Sequence, residues 1–207
     1  MGPAATRPGL RRPAGTPTDP DGASGKGGWT WGGRRGAVGG YIRGMAPRVA
    51  LFAGTFDPVT FGHLDLVRRA ARLFDRLIVA VAREGKSTWF TVDERVALIE
   101  PHVKALLGAS VTAFDGLLVD FARGQGAKAL IRGVRTFQDW EYELRMMQMN
   151  RYLAPDLETV FLPPAVEHAF VASSLVREVA AMGADVSGLV PENVVAALRA
   201  RSARERR

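Results

Sequence analysis

The chain contains no cysteine, and that absence excludes a disulfide framework, a thiolate metal site and a cysteine nucleophile together. It is compatible with a reducing, cytoplasmic location. Long apolar runs are missing too. No stretch approaches the roughly 18 to 20 residues that a membrane-spanning helix needs, so no membrane partner is expected. Arg11 and Arg12 resemble the start of an export signal, but "PAGTPTDPDGASGKGG" follows where an apolar segment of about 7 to 15 residues belongs. Histidines and carboxylates do not cluster at metal-ligand spacing, so no metal held by protein ligands is expected.

What is present is ample for a folded domain: 207 residues, of which 47% are hydrophobic. The net charge of +7 divides unevenly along the chain. Residues 1–44 hold seven basic and two acidic residues, whereas residues 45–207 hold 21 basic and 19 acidic ones. The same segment carries 13 of the 23 glycines and 5 of the 12 prolines. Without a periodic apolar face it cannot offset the entropy of ordering, so residues 1–44 are expected to be a disordered basic tail and residues 45–207 the folded domain. Met45 stands just before the first apolar run, so the tail reads either as an over-extended start or as a genuine extension. A basic Gly/Arg tail can neutralise nucleic-acid phosphates, but the near-neutral domain argues against a nucleic-acid partner.

From "RVALFA" onward the chain alternates apolar runs with helical patterns. The order is "RVALFA", a helix from His63 to Phe74, "RLIVAVA", a helix from Val92 to Leu107, "SVTAF", a helix near "LLVDFARGQ", and "KALIRG". A long helix from Phe137 to Leu153, "ETVFLP", and helices over Leu175 to Met182 and Pro191 to Arg201 complete the series. Thr91 and Glu94 have the spacing of a capping box. Such alternation predicts an α/β fold: a single Rossmann-like, doubly wound parallel sheet with a helical C-terminus.

In such sheets ligands bind beyond the carboxyl ends of the strands. Four stretches lie there: "GTFDPVTFGH", "REGKSTWFT", "RGVRTFQDWEYE" and "PPAVEHAFVASS". The first is a glycine-bearing turn from strand to helix, where backbone N–H groups and the helix dipole favour phosphate. His63 at the helix start can donate to a phosphate oxygen; equally, it can cap the helix or fill the core. Arg132 and Arg135 can take phosphate oxygens bidentately, or pair with Asp139 or Glu141 on the surface. Glu143 can serve ribose hydroxyls or order an arginine. Met146, Met147 and Met149 read as core or subunit contact.

"GTFDPVTFGH" resembles the TxGH signature of the nucleotidyltransferase superfamily related to class I aminoacyl-tRNA synthetases. Together with "FTVDER", "LIRGVRTFQDWEYE" and "SSLVREV", it is similar to the bacterial phosphopantetheine adenylyltransferases, from about Val49 to Arg199. The resemblance implies reversible adenylyl transfer from ATP to 4′-phosphopantetheine, giving dephospho-coenzyme A and pyrophosphate. His63 is then the transition-state stabiliser, with Lys86 and Arg132 as further catalytic groups. ATP is held by Thr55, Phe56, His63, Gly133, Val134, Arg135 and Glu143. The segment His168, Ala169, Phe170, Val171, Ala172, Ser173 and Ser174 completes the nucleotide site. The acceptor meets Thr55, Lys86, Leu118 and Arg132. The family further implies Mg²⁺ carried in with ATP, and a homohexamer. Departures are Ala172 where a serine is common, Phe61 where asparagine is common, and Ala53 where proline is common. The rival within the superfamily is an adenylyl- or cytidylyltransferase with another acceptor, against which Arg132, Arg135 and Glu143 discriminate.

Overall fold

The computed structural model describes residues 46–83 and 88–205. The expected tail and Lys86 lie outside the described residues. Five parallel strands form one sheet: β1 (Val49–Gly54), β2 (Arg76–Ala82), β3 (Ala109–Phe114), β4 (Ala129–Gly133) and β5 (Glu158–Leu162). Their order is β3-β2-β1-β4-β5. The chain therefore starts in the middle, winds outward through β2 and β3, then returns to the other side of β1. That reversal creates a crevice between the carboxyl ends of β1 and β4, where α/β sheets bind ligands.

The strands are read as strands because they are short, apolar and rich in β-branched residues, as the fully covered strands of a parallel sheet must be. Val49, Leu51 and Ala53 of β1 enter one apolar cluster, Ala50 and Phe52 the other, as a period of two demands. Each fully buried Val, Leu or Ile contributes about 1.5 to 3 kcal/mol. The first face is covered by α3 (Leu118–Gly124), through Val119 and Ala122, and by Ala154 and Leu157 beyond α4 (Phe137–Leu153). The second face is covered by α1 (Phe61–Leu73), α2 (Val92–Lys104), α5 (Ser173–Ala181) and α6 (Glu192–Glu205). Helices thus lie on both faces, and the doubly wound expectation holds.

The helix starts are chemically specified. Thr91 and Glu94 form the expected capping box on α2, with Thr91 N–H donating to Glu94 Oε2 at 2.8 Å and Glu94 N–H to Thr91 Oγ1 at 3.3 Å. Helix α1 begins at Phe61, two residues earlier than the apolar spacing predicts, because Thr60 is its N-cap and His63 closes a capping box with it. Helix α4 starts on Thr136, whose hydroxyl accepts from Asp139 N–H. Among its 17 residues only Asn150 is buried. Met146 and Met149 are exposed, so they do not join the core.

Candidate active site

The crevice at the strand reversal is a cleft of about 490 Å³. Its floor is the end of β1 and the turn after it, Phe52 to Asp57, followed by Thr60, Gly62 and His63 of the α1 start. Arg132, Gly133, Arg135 and Glu143 line the β4 side. Pro164, His168 and Val171 to Ser174 line the far wall, with Thr88 and Arg177. Three of the four stretches singled out in the sequence thus converge on one cavity, and Thr88 brings the fourth to its edge.

His63 is the best defined group. Its Nδ1 accepts from Thr60 N–H at 3.1 Å and lies 3.0 Å from Thr60 Oγ1, while His63 N–H donates to that hydroxyl oxygen at 3.4 Å. With Nδ1 an acceptor, the neutral ring carries its proton on Nε2. Burial pushes the pKa of the imidazole down to about 4, and the positive charge of Arg135 adds to the effect. The ring is therefore a neutral N–H donor at neutral pH. The capping and phosphate-donor readings of His63 do not compete, since each uses a different ring nitrogen.

Beneath it, Phe56 packs edge-on against the imidazole at 5.2 Å and against Phe52 at 5.5 Å. Phe56 has φ of 49°, in the left-handed region that a bulky residue rarely adopts. Such a conformation persists only where its surroundings over-determine it. Here they do. Arg95, 1% exposed, donates to the carbonyls of Thr55 at 2.7 Å, Ala82 at 2.8 Å and Phe90 at 3.1 Å. Asp57, 2% exposed, accepts from Trp89 N–H at 2.9 Å, Phe90 N–H at 3.0 Å and Arg177 Nη1 at 2.9 Å. Arg177 also donates to the Asp57 carbonyl, and Ser173 Oγ donates to the Pro58 carbonyl at 2.8 Å. The carbonyls of the turn are thus taken up by donors from α2 and α5.

Arg132 donates through Nε and Nη2 to the two oxygens of Glu143, at 2.6 and 2.5 Å, and through Nη1 to the Ala53 carbonyl at 3.1 Å. Arg135 pairs with Asp139, as the surface alternative foresees, but its Nη1 also donates to the Val171 carbonyl at 2.8 Å. It so fastens the wall after β5 to the end of β4. Burial, the largest single effect, works to raise the Asp139 carboxyl, but the side-chain and backbone hydrogen bonds and charge of Arg135, with the Thr136 backbone hydrogen bond, together outweigh it and leave the group below its ordinary pKa. The same wall is held from α1: Asp65 accepts from Ala165 N–H at 3.1 Å, and Arg69 donates to the Pro163 carbonyl at 2.5 Å. Gly62 passes close beneath His168, since a Cβ there would lie 3.5 Å from the His168 Cβ.

Of the residues expected in the site, Thr55, Phe56, His63, Arg132, Gly133, Arg135, Glu143, His168, Val171, Ala172, Ser173 and Ser174 line the cleft. Val134, Ala169 and Phe170 belong to the same segments without lining it, and Phe170 is 65% exposed. Leu118 is not brought in; it packs beside Phe114 and Phe121 at the edge of a core cluster. Sequence reasoning missed Asp57, Thr88 and Arg177. The signal for Arg177 was its position three residues after Ser174, on the same face of α5.

Among the described residues, no three His, Asp or Glu side chains are grouped to hold a metal. Among the described residues, the two carboxylates that line the cleft, Asp57 and Glu143, are each committed to an arginine. This donor set fits anionic phosphate and does not fit a resident cation. No helix among the described residues is long and apolar enough to cross a membrane.

A parallel sheet with a phosphate-suited crevice at its reversal, floored by a TxGH turn, defines a nucleotidyltransferase, and the sequence model of the cytidylyltransferase-like family matches residues 51–179. A solved structure of a putative nicotinate-nucleotide adenylyltransferase from Vibrio parahaemolyticus has the same fold, with TM-score 0.55, at 16% identity over 74% of this chain and 91% of that one. Two curated relatives narrow the class. The phosphopantetheine adenylyltransferase of Thioalkalivibrio sulfidiphilus (strain HL-EbGR7) is 54% identical over 74% of this chain and 97% of its own. That of Moorella thermoacetica (strain ATCC 39073 / JCM 9320) is 49% identical over 71% and 92%. The chain belongs to the phosphopantetheine adenylyltransferase family.

Proposed function

We propose that the protein transfers the adenylyl group of ATP reversibly to 4′-phosphopantetheine, forming dephospho-coenzyme A and pyrophosphate in coenzyme A synthesis. The observation that carries this reading is the near-complete coverage of relatives with that name, 54% identical in the case of the Thioalkalivibrio protein. In the reaction an oxygen of the acceptor phosphate bonds to the α-phosphorus of ATP. The bond from that phosphorus to the bridging oxygen of the β-phosphate breaks, and its electron pair leaves on pyrophosphate. The nucleophile is already anionic, so no general base is needed, and the task reduces to positioning and charge stabilisation.

His63 donates its Nε2 proton to an α-phosphate oxygen as charge builds there. Thr55 stands between the two substrates, with Phe56 supporting the ring of His63. Gly133 to Arg135 and the segment from His168 to Ser174 hold ATP. Lys86 and Arg132 serve the acceptor. Magnesium would arrive with the triphosphate rather than on protein ligands, and would supply neutralisation of the phosphate charge. The exposed apolar side chains of α4, Trp140, Tyr142, Met146 and Met149, support burial of this helix between copies of the chain in a homohexamer. A cytoplasmic location accords with the absence of cysteine and with the metabolic role.

The test is to incubate the protein with ATP, magnesium and a panel of phosphorylated acceptors, and to measure pyrophosphate. Release with phosphopantetheine alone is expected. Release with nicotinate mononucleotide and none with phosphopantetheine would overturn the reading.

A further inference from the structure

Phe61, Asp65 and Arg69 stand at i, i+4 and i+8 along α1, on one face of that helix. All three meet the segment after β5, in reverse order. The Arg69 guanidinium donates to the Pro163 carbonyl at 2.5 Å, and the Asp65 carboxylate accepts from Ala165 N–H at 3.1 Å. The Phe61 ring lies 5.9 Å from the imidazole of His168, centre to centre, tilted by 31°. The first two contacts fix backbone, and the third fixes a side chain. Phe61 is itself seated: its N–H donates to the Leu189 carbonyl at 3.0 Å, and its ring packs against the second-face cluster. His168 lines the cleft and Phe61 does not, so the phenyl ring supports the imidazole from outside the cavity.

The anion-suited groups His63, Arg132 and Arg135 lie on the floor of the cleft and on its β4 side. The base of a nucleotide whose phosphates sit there falls to the far wall, where the face of an aromatic ring suits a heterocycle. Phe56 packs on Phe52 and on His63, which leaves His168 as the ring of that wall. Resting on the adenylyl-transfer reading above, we propose that Phe61 is a positioning residue for the nucleobase of ATP, which backs the His168 imidazole so that the ring stays against the base. Phe61 stands where asparagine is common in the family, and an asparagine supplies no such ring. Without it the imidazole regains rotamer freedom, which must be given up again when the nucleotide binds.

The test uses Phe61→Ala, Phe61→Leu and Phe61→Tyr in the full chain, with Phe61→Ala also combined with His168→Ala. Titrations with ATP, with inorganic tripolyphosphate, which carries the charge without a base, and with 4′-phosphopantetheine are run beside thermal melts. Phe61→Ala is expected to weaken ATP binding roughly 3- to 10-fold, the scale of one aromatic pair, while tripolyphosphate and phosphopantetheine affinities change less than about twofold. Phe61→Leu keeps apolar bulk without a ring and should lose as much; it replaces the alanine variant if that one fails to fold. Phe61→Tyr keeps the ring and should stay within about twofold of the parent. In the His168→Ala background, Phe61→Ala should have little further effect on ATP, because its action passes through the imidazole. Equal losses for ATP and tripolyphosphate would mean a general loosening of the cleft and overturn the proposal. So would undiminished ATP affinity in Phe61→Ala and Phe61→Leu, or losses that add in full to those of His168→Ala. A parent protein inert toward phosphopantetheine would instead remove the functional reading itself; the ATP and tripolyphosphate titrations need no acceptor and would still decide the place of Phe61.

Discussion

The backbone N–H of Thr60 donates to Nδ1 of His63 at 3.1 Å, so the helix cap dictates which nitrogen of the imidazole faces a substrate. His63→Ala removes the Nε2 donor and is expected to lower kcat by roughly 10²- to 10³-fold, as loss of one oxyanion donor does elsewhere. ATP affinity should change far less, since the bond strengthens only as charge develops. Turnover within about threefold of the parent, in a variant with an unchanged melt, would refute the role.

The pKa of His63 also predicts how stability responds to acid. The folded-state value, pushed down to about 4 chiefly by burial, lies below the ordinary 6.5. Between those values the unfolded chain binds more protons than the folded one, so stability rises with pH across the window and is lost as pH falls through it. The melting temperature of the parent should therefore drop more steeply from pH 7 to pH 5 than that of His63→Gln. Parallel slopes would show that the ring is not held neutral.

Arg132 and Arg135 stand three residues apart and face different partners, Glu143 with Ala53 in one case and Asp139 with Val171 in the other. Charge-assisted hydrogen bonds contribute about 1.5 to 3 kcal/mol, so each alanine variant should lose roughly 10- to 150-fold in kcat/KM. The losses should differ in kind. Arg132→Ala is expected to bind ATP nearly normally and phosphopantetheine weakly, and Arg135→Ala the reverse. Titrations in which both variants lose only ATP would contradict the assignment of Arg132.

Asp57→Asn places an amide where two backbone N–H groups and a guanidinium converge on a carboxylate. With only two acceptor lone pairs on one oxygen, at least one buried donor is left unmatched. Arg177 is partly open to solvent, so the expected loss is about 2 to 3 kcal/mol, below the range for a fully buried pair. A denaturant midpoint equal to that of the parent would show that the turn is held by other means.

Much of this was legible in the sequence, for a physical reason. The strands of a parallel sheet are covered on both sides, so "RLIVAVA" predicts β2 residue for residue, and the helix from Phe137 to Leu153 is likewise recovered. Turn chemistry was harder to read. A capping box normally closes with glutamate or glutamine, and the histidine in Thr60-x-x-His63 conceals the same bond, so the start of α1 is placed two residues late. Charge pairing was hardest. The sequence offers Asp139 and Glu141 to the arginines and lets Glu143 order one of them; Arg135 takes Asp139 and Arg132 takes Glu143, whereas the pair Asp57 and Arg177, 120 positions apart, is not foreseen. That last pair is set by where α5 docks, which no local pattern encodes.

Helix α5 supplies Ser173 and Arg177 to a turn that lies 115 and 120 residues earlier, and the second-face cluster takes in Val171, Val176, Val190, Val194 and Leu198. A polypeptide emerging from the ribosome thus displays the TxGH turn early but owns neither the clasp that seats it nor half the apolar cover above it. The turn is therefore seated only after α5 has been made. A chain cut short before α6 lacks Val194, Val195 and Leu198, and leaves that part of the second face open to water and to proteases.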